Sequence, residues 1–191
     1  MVKETGRAWR VRFPCTYLGL AMELYPQKIL VAVVLGAFMP DSDHPPSYPL
    51  NKFFEWYPME SMMDTQFIDY GSLEQPGTSM LFGPQLISFK LYRNCSAEDI
   101  ELAKFLIRPS SLFLQDLSKA KNFSKEMFGS VKRAYILCNE DKVFPVEFQI
   151  WMAENIGAVD IKEIKDADLM AMLSKPQQLS MCLLDIAQTR T

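Results

Sequence analysis

Ile29-Leu-Val-Ala-Val-Val-Leu35 is the stretch that decides the fold class. It is continuously apolar and rich in β-branched side chains, as a strand covered on both faces of a parallel sheet should be. The apolar run from Ile29 to Met39 is eleven residues long, too short to span a bilayer, and Pro40 stops it. Upstream, Leu18, Ala21 and Leu24 recur at helical spacing within Tyr17 to Leu24, and Tyr25-Pro26 closes that segment. The first fifteen residues of the chain show no clear period and read as an arm.

Alternation of strand and helix returns after Gly129. Arg133 to Leu137 reads as a second short apolar strand. Pro145 to Asn155 reads as a helix opened by proline and closed near Gly157. Ala158 to Ile164 holds a third strand, and Ser174 is expected to cap a last helix with Leu179, Cys182, Leu183 and Ile186 on its apolar face. Residues 40 to 125 differ. Eight of the twelve prolines fall there, among the aromatic clusters Phe53, Phe54, Trp56, Tyr57 and Phe82, Phe89, Tyr92. Ser96-Ala-Glu-Asp99 opens a helix carrying Ile100, Ala103 and Leu106. The expectation is an α/β fold, a parallel sheet with flanking helices, interrupted by an inserted, mostly helical cap. Its divisions are an arm over 1–15, a core over 16–44 and 126–191, and a cap over 45–125.

Composition narrows the function classes. A chain of 191 residues with 49% hydrophobic and 23% charged residues is ordinary for a globular domain. At this size about 70% of the unfolded surface is buried, so neither disulfide nor metal is needed to fold. A net charge of -3 gives no basic face for nucleic acid. The locally basic start (Lys3, Arg7, Arg10, Arg12) is too short and too poor in serine for a transit peptide. Cys15, Cys95, Cys138 and Cys182 show no CxxC spacing, which suits reduced thiols in the cytoplasm.

Acids directly after buried parallel strands stand where such sheets place their sites. Two sets qualify, Asn139-Glu140-Asp141 and Asp166-Ala167-Asp168. On composition alone, each reads first as a solvated turn. His44 is the only histidine, and a lone loop histidine is more often structural or solvent-exposed than catalytic. With no second histidine and no cysteine cluster, neither a metal site nor a cofactor is expected. No GxSxG, GxGxxG or Walker sequence occurs.

Several segments go further than composition. Leu18-Gly-Leu-Ala-Met-Glu-Leu-Tyr-Pro-Gln-Lys-Ile29, Ala37-Phe-Met-Pro-Asp41 and Asp64-Thr-Gln-Phe67 closely resemble the plant methylesterase and hydroxynitrile lyase family of α/β-hydrolases. So do Thr78-Ser-Met-Leu-Phe-Gly-Pro84, Arg108-Pro-Ser-Ser-Leu-Phe113 and Phe128-Gly-Ser-Val-Lys-Arg133. The resemblance runs from about residue 16 to the C-terminus. It implies hydrolysis of methyl esters of small carboxylic acids such as salicylate, jasmonate and indole-acetate, or cyanohydrin cleavage in the lyase branch.

Carried over residue by residue, the resemblance makes Asp141, in Glu140-Asp141-Lys142, the triad aspartate. Its task would be to orient a histidine and stabilise the imidazolium. That histidine should follow Asp168, but the residue there is Leu169, which can neither take nor return a proton. The family's Gly-His-Ser-Leu-Gly-Gly elbow aligns with Arg10-Val-Arg-Phe-Pro-Cys15, putting Arg12 at the serine position. Loss of a triad serine or histidine alone costs on the order of a million-fold.

Phe38, Met62, Phe67, Met80, Phe82 and Met170 match positions that line the family's substrate pocket. Met62 stands where the family has tryptophan, and a flexible thioether recognises an aromatic acid differently. Their alternative reading is core packing. Met170 points to the esterase branch, since the lyases carry lysine there. Taken together, the chain is expected to be an N-terminally truncated methylesterase homologue, inactive in hydrolysis, whose first strand lies at an exposed sheet edge. One rival is a non-catalytic module that binds small hydrophobic acids or their methyl esters, or forms a homo- or heterodimer with an intact homologue. Another places a misjudged gene boundary before residue 16. Neither nucleic acid nor membrane is an expected partner.

Overall fold

The computed structural model describes residues 16–72 and 76–189. The expected arm, with Arg12 and Cys15, lies outside the described residues. The helices are α1 (Thr16–Leu24), α2 (Tyr48–Trp56), α3 (Pro84–Leu86), α4 (Ala97–Leu106), α5 (Leu114–Lys119), α6 (Val146–Asn155), α7 (Ala171–Ser174) and α8 (Pro176–Gln188). The strands are β1 (Ala32–Leu35), β2 (Gln66–Gly71), β3 (Pro76–Leu81), β4 (Ser110–Ser111), β5 (Arg133–Cys138) and β6 (Asp160–Ile164).

β1, β5 and β6 form a parallel sheet in the order β1-β5-β6. Central β5 pairs Ala32 with Arg133 on one side and Ala134 with Asp160 on the other. Its residues from Ala134 to Cys138 are all buried, and their period of two divides the interior. Tyr135 and Leu137 join Ala32 and Val34 in the main core, with Met22 of α1 and Phe148, Met152 and Ala153 of α6. Ala134, Ile136 and Cys138 face the other way, onto Ile186, Leu179, Cys182 and Leu183 of α8. Helices thus cover both faces, each fully buried large side chain contributing roughly 1.5–3 kcal/mol.

The strand expected over Ile29 to Leu35 pairs only from Ala32, whose N–H bonds to Lys132 O where β5 begins. Residues 29–31 extend past the start of their partner. Burial along β1 alternates, so its second face, with Val33 and Leu35, is only partly covered. Gly36, at φ +43°, ends the strand in the left-handed region that favours glycine. The hydroxyl of buried Tyr135 then fixes the next residue, donating to Ala37 O at 3.0 Å and accepting from Ala37 N at 3.1 Å.

The insert between β1 and β5 is mostly helical in its regular structure, which includes α2 to α5. It carries an antiparallel sheet in the order β2-β3-β4, with Gln66 opposite Leu81 and Phe67 opposite Met80. The sequence concealed this because β2 is largely exposed and its pattern, Gln-Phe-Ile-Asp-Tyr-Gly, is too polar for a core strand. α4 begins as expected: Ser96 Oγ accepts from Asp99 N at 3.1 Å. It carries Ile100, Ala103 and Leu106, of which Ala103 packs against the main cluster and Leu106 is exposed. The last helix is corrected, since Ser174 is not its cap. Ser174 ends α7 and donates to Asp168 instead, while α8 starts at Pro176.

A cluster of rings joins the insert to the core. Phe38 meets Phe53, Phe144 and Phe148 edge-on, with centroids 4.7–6.0 Å apart. Segments quoted above for their resemblance meet in space. Glu23 Oε2 accepts from Ser124 N at 3.0 Å and Phe128 N at 3.3 Å. Asp64 accepts from Gln85 N at 2.8 Å and Leu86 N at 2.9 Å, closing the start of α3. Gly83 is required there, because a Cβ would run into Asp64. Among the described residues, no helix is long and apolar enough to cross a membrane.

Candidate functional site

Three turns leave the C-terminal ends of the parallel strands: Gly36-Ala37 after β1, Asn139-Glu140-Asp141 after β5, and Asp166-Ala167-Asp168 after β6. In parallel α/β sheets, ligand chemistry collects at these ends.

The two acid sets are not solvated turns throughout. Asp141 is 2% exposed and Asp168 0%. Asp141 Oδ1 accepts from Val143 N at 2.7 Å and Phe144 N at 2.9 Å. Its Oδ2 is buried and has no hydrogen-bond partner among the described residues. Burial raises this carboxyl's pKa most. The N–H bonds from Phe144 and Val143 pull it down, the negative charge of Asp168 raises it and Lys142 lowers it, and it ends at about 7. The same burial, with Asp141 and Asp168 nearby, pushes the Cys138 thiol well above its ordinary value.

Asp168 is fully partnered. Its Oδ1 accepts from Met170 N at 3.0 Å and Ser174 Oγ at 2.7 Å, its Oδ2 from Asn94 N at 2.8 Å, and Cys95 Sγ lies 3.6 Å away. Asp166 takes a left-handed φ of +57°, which aspartate tolerates better than most residues. Leu169 follows, half-buried and packed against the main core, and Met170 is buried.

Gln149 was not foreseen. Its side chain is wholly buried and ties the end of β5 to α6, with Oε1 accepting from Cys138 N at 2.9 Å. Its Nε2 donates to Cys138 O at 2.9 Å and Phe144 O at 2.6 Å. The available signal was a polar residue on the helix face of Phe148 and Met152.

The positions matched to the pocket are gathered. Phe38, Met62, Met80 and Phe82 are buried in the main cluster, Phe67 packs against it, and Met170 sits on the turn after β6. His44 lies elsewhere in the chain's bonding. Its Nδ1 is 2.9 Å from Asp41 Oδ2, and its ring stacks on Tyr48 at 3.8 Å. Asp41 is buried and also accepts from Asn155 Nδ2 at 2.8 Å. Among the described residues, no three His, Cys, Asp or Glu side chains are grouped to hold a metal ion.

A parallel sheet with helices on both faces, an insert after β1 and a buried acid turn after β5 make up the relevant part of an α/β-hydrolase. No family model matches the chain. Polyneuridine aldehyde esterase of Rauvolfia serpentina is 59% identical over 172 residues, covering 90% of this chain and 65% of the relative. Its crystal structure matches with a TM-score of 0.86 over 90% of this chain and 68% of that one. Salicylic acid-binding protein 2 of Nicotiana tabacum is 59% identical over 170 residues, 89% of this chain and 65% of the relative. Methylesterase 1 of Arabidopsis thaliana is 49% identical over 170 residues, 89% of this chain and 64% of the relative. The chain belongs to the plant methylesterase family of α/β-hydrolases. It spans slightly less than two thirds of the length of these curated relatives, at 64–65%.

Proposed function

We propose that this chain is a methylesterase-type fold that does not hydrolyse esters, because the general base of the reaction is replaced by Leu169. The observation that carries this reading is the buried Oδ2 of Asp141, without a hydrogen-bond donor among the described residues. In a working triad that oxygen receives the N–H of the histidine it orients. The leucine side chain offers no N–H, no lone pair and no proton for the leaving methanol. The reading rests on position 169, inside the described residues, and not on Arg12 or anything earlier.

The test is hydrolysis of a p-nitrophenyl ester and of methyl salicylate by the purified chain. No rate above buffer is expected. Turnover that disappears in Asp141→Ala would overturn the reading.

A second reading is favoured by the relative named salicylic acid-binding protein 2 and by the gathered side chains of Phe38, Met62, Met80 and Phe82. Under it the chain retains a site for a small hydrophobic carboxylic acid or its methyl ester, such as salicylate or methyl jasmonate, alone or in a homo- or heterodimer with an intact homologue. Titration calorimetry with both compounds checks it, and absence of heat at millimolar ligand ends the ligand version. Cys95, Cys138 and Cys182 form no disulfide among the described residues, which supports placing the protein in the cytoplasm.

A further inference from the structure

The insert meets the core through apolar packing and also through polar groups, several of them at one turn. Arg93, Asn94 and Cys95 form a turn between the helical stretch ending at Leu91 and the start of α4. Asn94 N donates to Asp168 Oδ2 at 2.8 Å, and Asn94 Nδ2 donates to Asp166 O at 3.0 Å. Arg93 Nη1 reaches Glu140 Oε2 at 3.2 Å. One turn of the insert therefore grips both acidic turns, the one carrying Asp141 and the one leading into Leu169.

The two acidic turns are also bonded to each other. Glu140 N donates to Ala167 O at 2.9 Å, and Asp166 N donates to Asn139 Oδ1 at 2.7 Å. With the insert turn they close a ring of three segments. Asp168 is its pivot, since a fully buried carboxylate is tolerated only when its oxygens are supplied with donors, and two of its donors come from the insert. The Arg93–Glu140 pair is partly exposed and adds little by itself. Asn94 is the main contact from the insert.

We propose that the turn Arg93–Cys95 is a clamp that fixes the separation of the two acidic turns, so that the insert and the site move as one unit. A displacement of the insert, by a ligand beneath it or a partner on it, is then transmitted to Asp141 and Leu169 through Asn94 and Asp168. Asn94 and Asp168 are positioning residues in this arrangement. Taking these turns as the site rests on the function proposed above, but the clamp itself does not depend on whether hydrolysis occurs.

Native-state hydrogen exchange on the full chain tests it. In the double variant Arg93→Ala/Asn94→Ala, both substituted side chains are exposed and the Asn94 backbone N–H is retained. Exchange at Glu140 N–H and Asp166 N–H is expected to quicken about five- to tenfold, although neither substituted side chain makes those bonds. The β2–β3 ladder should keep its rates. From the other side, Asp168→Asn should quicken exchange at Asn94 N–H and at Cys95 N–H, which bonds to Tyr92 O. Unchanged rates at Glu140 and Asp166 in the double variant overturn the clamp, as does a uniform acceleration that includes β2 and β3. Hydrolysis of an ester by the chain would overturn the function proposed above and leave these rates unaffected.

Discussion

The free oxygen of Asp141 faces Gly36: a side-chain carbon at position 36 would stand 3.7 Å from Oδ2. With a glycine on that side and no donor among the described residues, the carboxyl is short of partners for its charge. It titrates at about 7 in the folded chain against an ordinary 3.8. The folded state thus holds the proton to higher pH than the unfolded state. This group's contribution is most favourable below about pH 4 and is lost as pH rises to about 7, an effect of up to about 4 kcal/mol. Asp141→Asn keeps an acceptor for Val143 and Phe144 and removes the charge. It should gain stability over wild type at pH 8 and gain less at pH 5, as read by urea unfolding at each pH. Equal effects at both pH values would show that the ionised form is not penalised.

Leu169→His places an N–H donor at the position that the proposed function assigns to the missing histidine. The Asp141 titration, followed by carbon-13 NMR of its carboxyl, should move down from about 7. A midpoint that stays there would mean that residue 169 does not reach the free oxygen.

Gly83→Ala drives a methyl group into Asp64 and should cost about 2–3 kcal/mol, seen as a lower Tm. Adding Asp64→Ala removes the carboxylate from that space, though the Asp64 carbonyl oxygen stays in it, and leaves Gln85 N and Leu86 N without their acceptor. The double variant should therefore be more stable than the sum of the two single losses implies. Simple additivity would place the strain elsewhere.

β1 has a strand partner only on its β5 side among the described residues, and Tyr17, Leu20, Leu24 and Leu30 near it are exposed. An apolar edge of this kind invites pairing between chains. The purified 191-residue chain should associate with rising concentration in sedimentation velocity, and Leu20→Lys with Leu24→Lys should raise the monomer fraction. A soluble monomer with a sharp thermal transition would count against the edge.

The parallel sheet was legible because its strands are written for burial. Ala134 to Cys138 leaves no doubt about a covered strand, and Gly157 with φ +60° marks the turn before β6. The antiparallel sheet of the insert was not legible, since Gln66 to Gly71 lies mostly in solvent and carries no core pattern. Asp141 and Asp168 were found by position after a strand, yet their burial was hidden. A turn's composition does not reveal what folds over it, and Asn94, which covers Asp168, is 74 residues away in sequence. The proposal that a base is missing at 169 rests on resemblance alone; no periodicity distinguishes a leucine there from an ordinary core residue.

The turn after β6 is held by its neighbours. Asp168 binds Met170, Ser174 and Asn94, and Ala167 O accepts from Glu140, whereas Leu169 contributes only partly buried packing. The architecture therefore asks little of the side chain at 169. If the proposed function holds, a histidine and a leucine at 169 are equivalent for folding and opposite for catalysis, so the two properties part at a single codon.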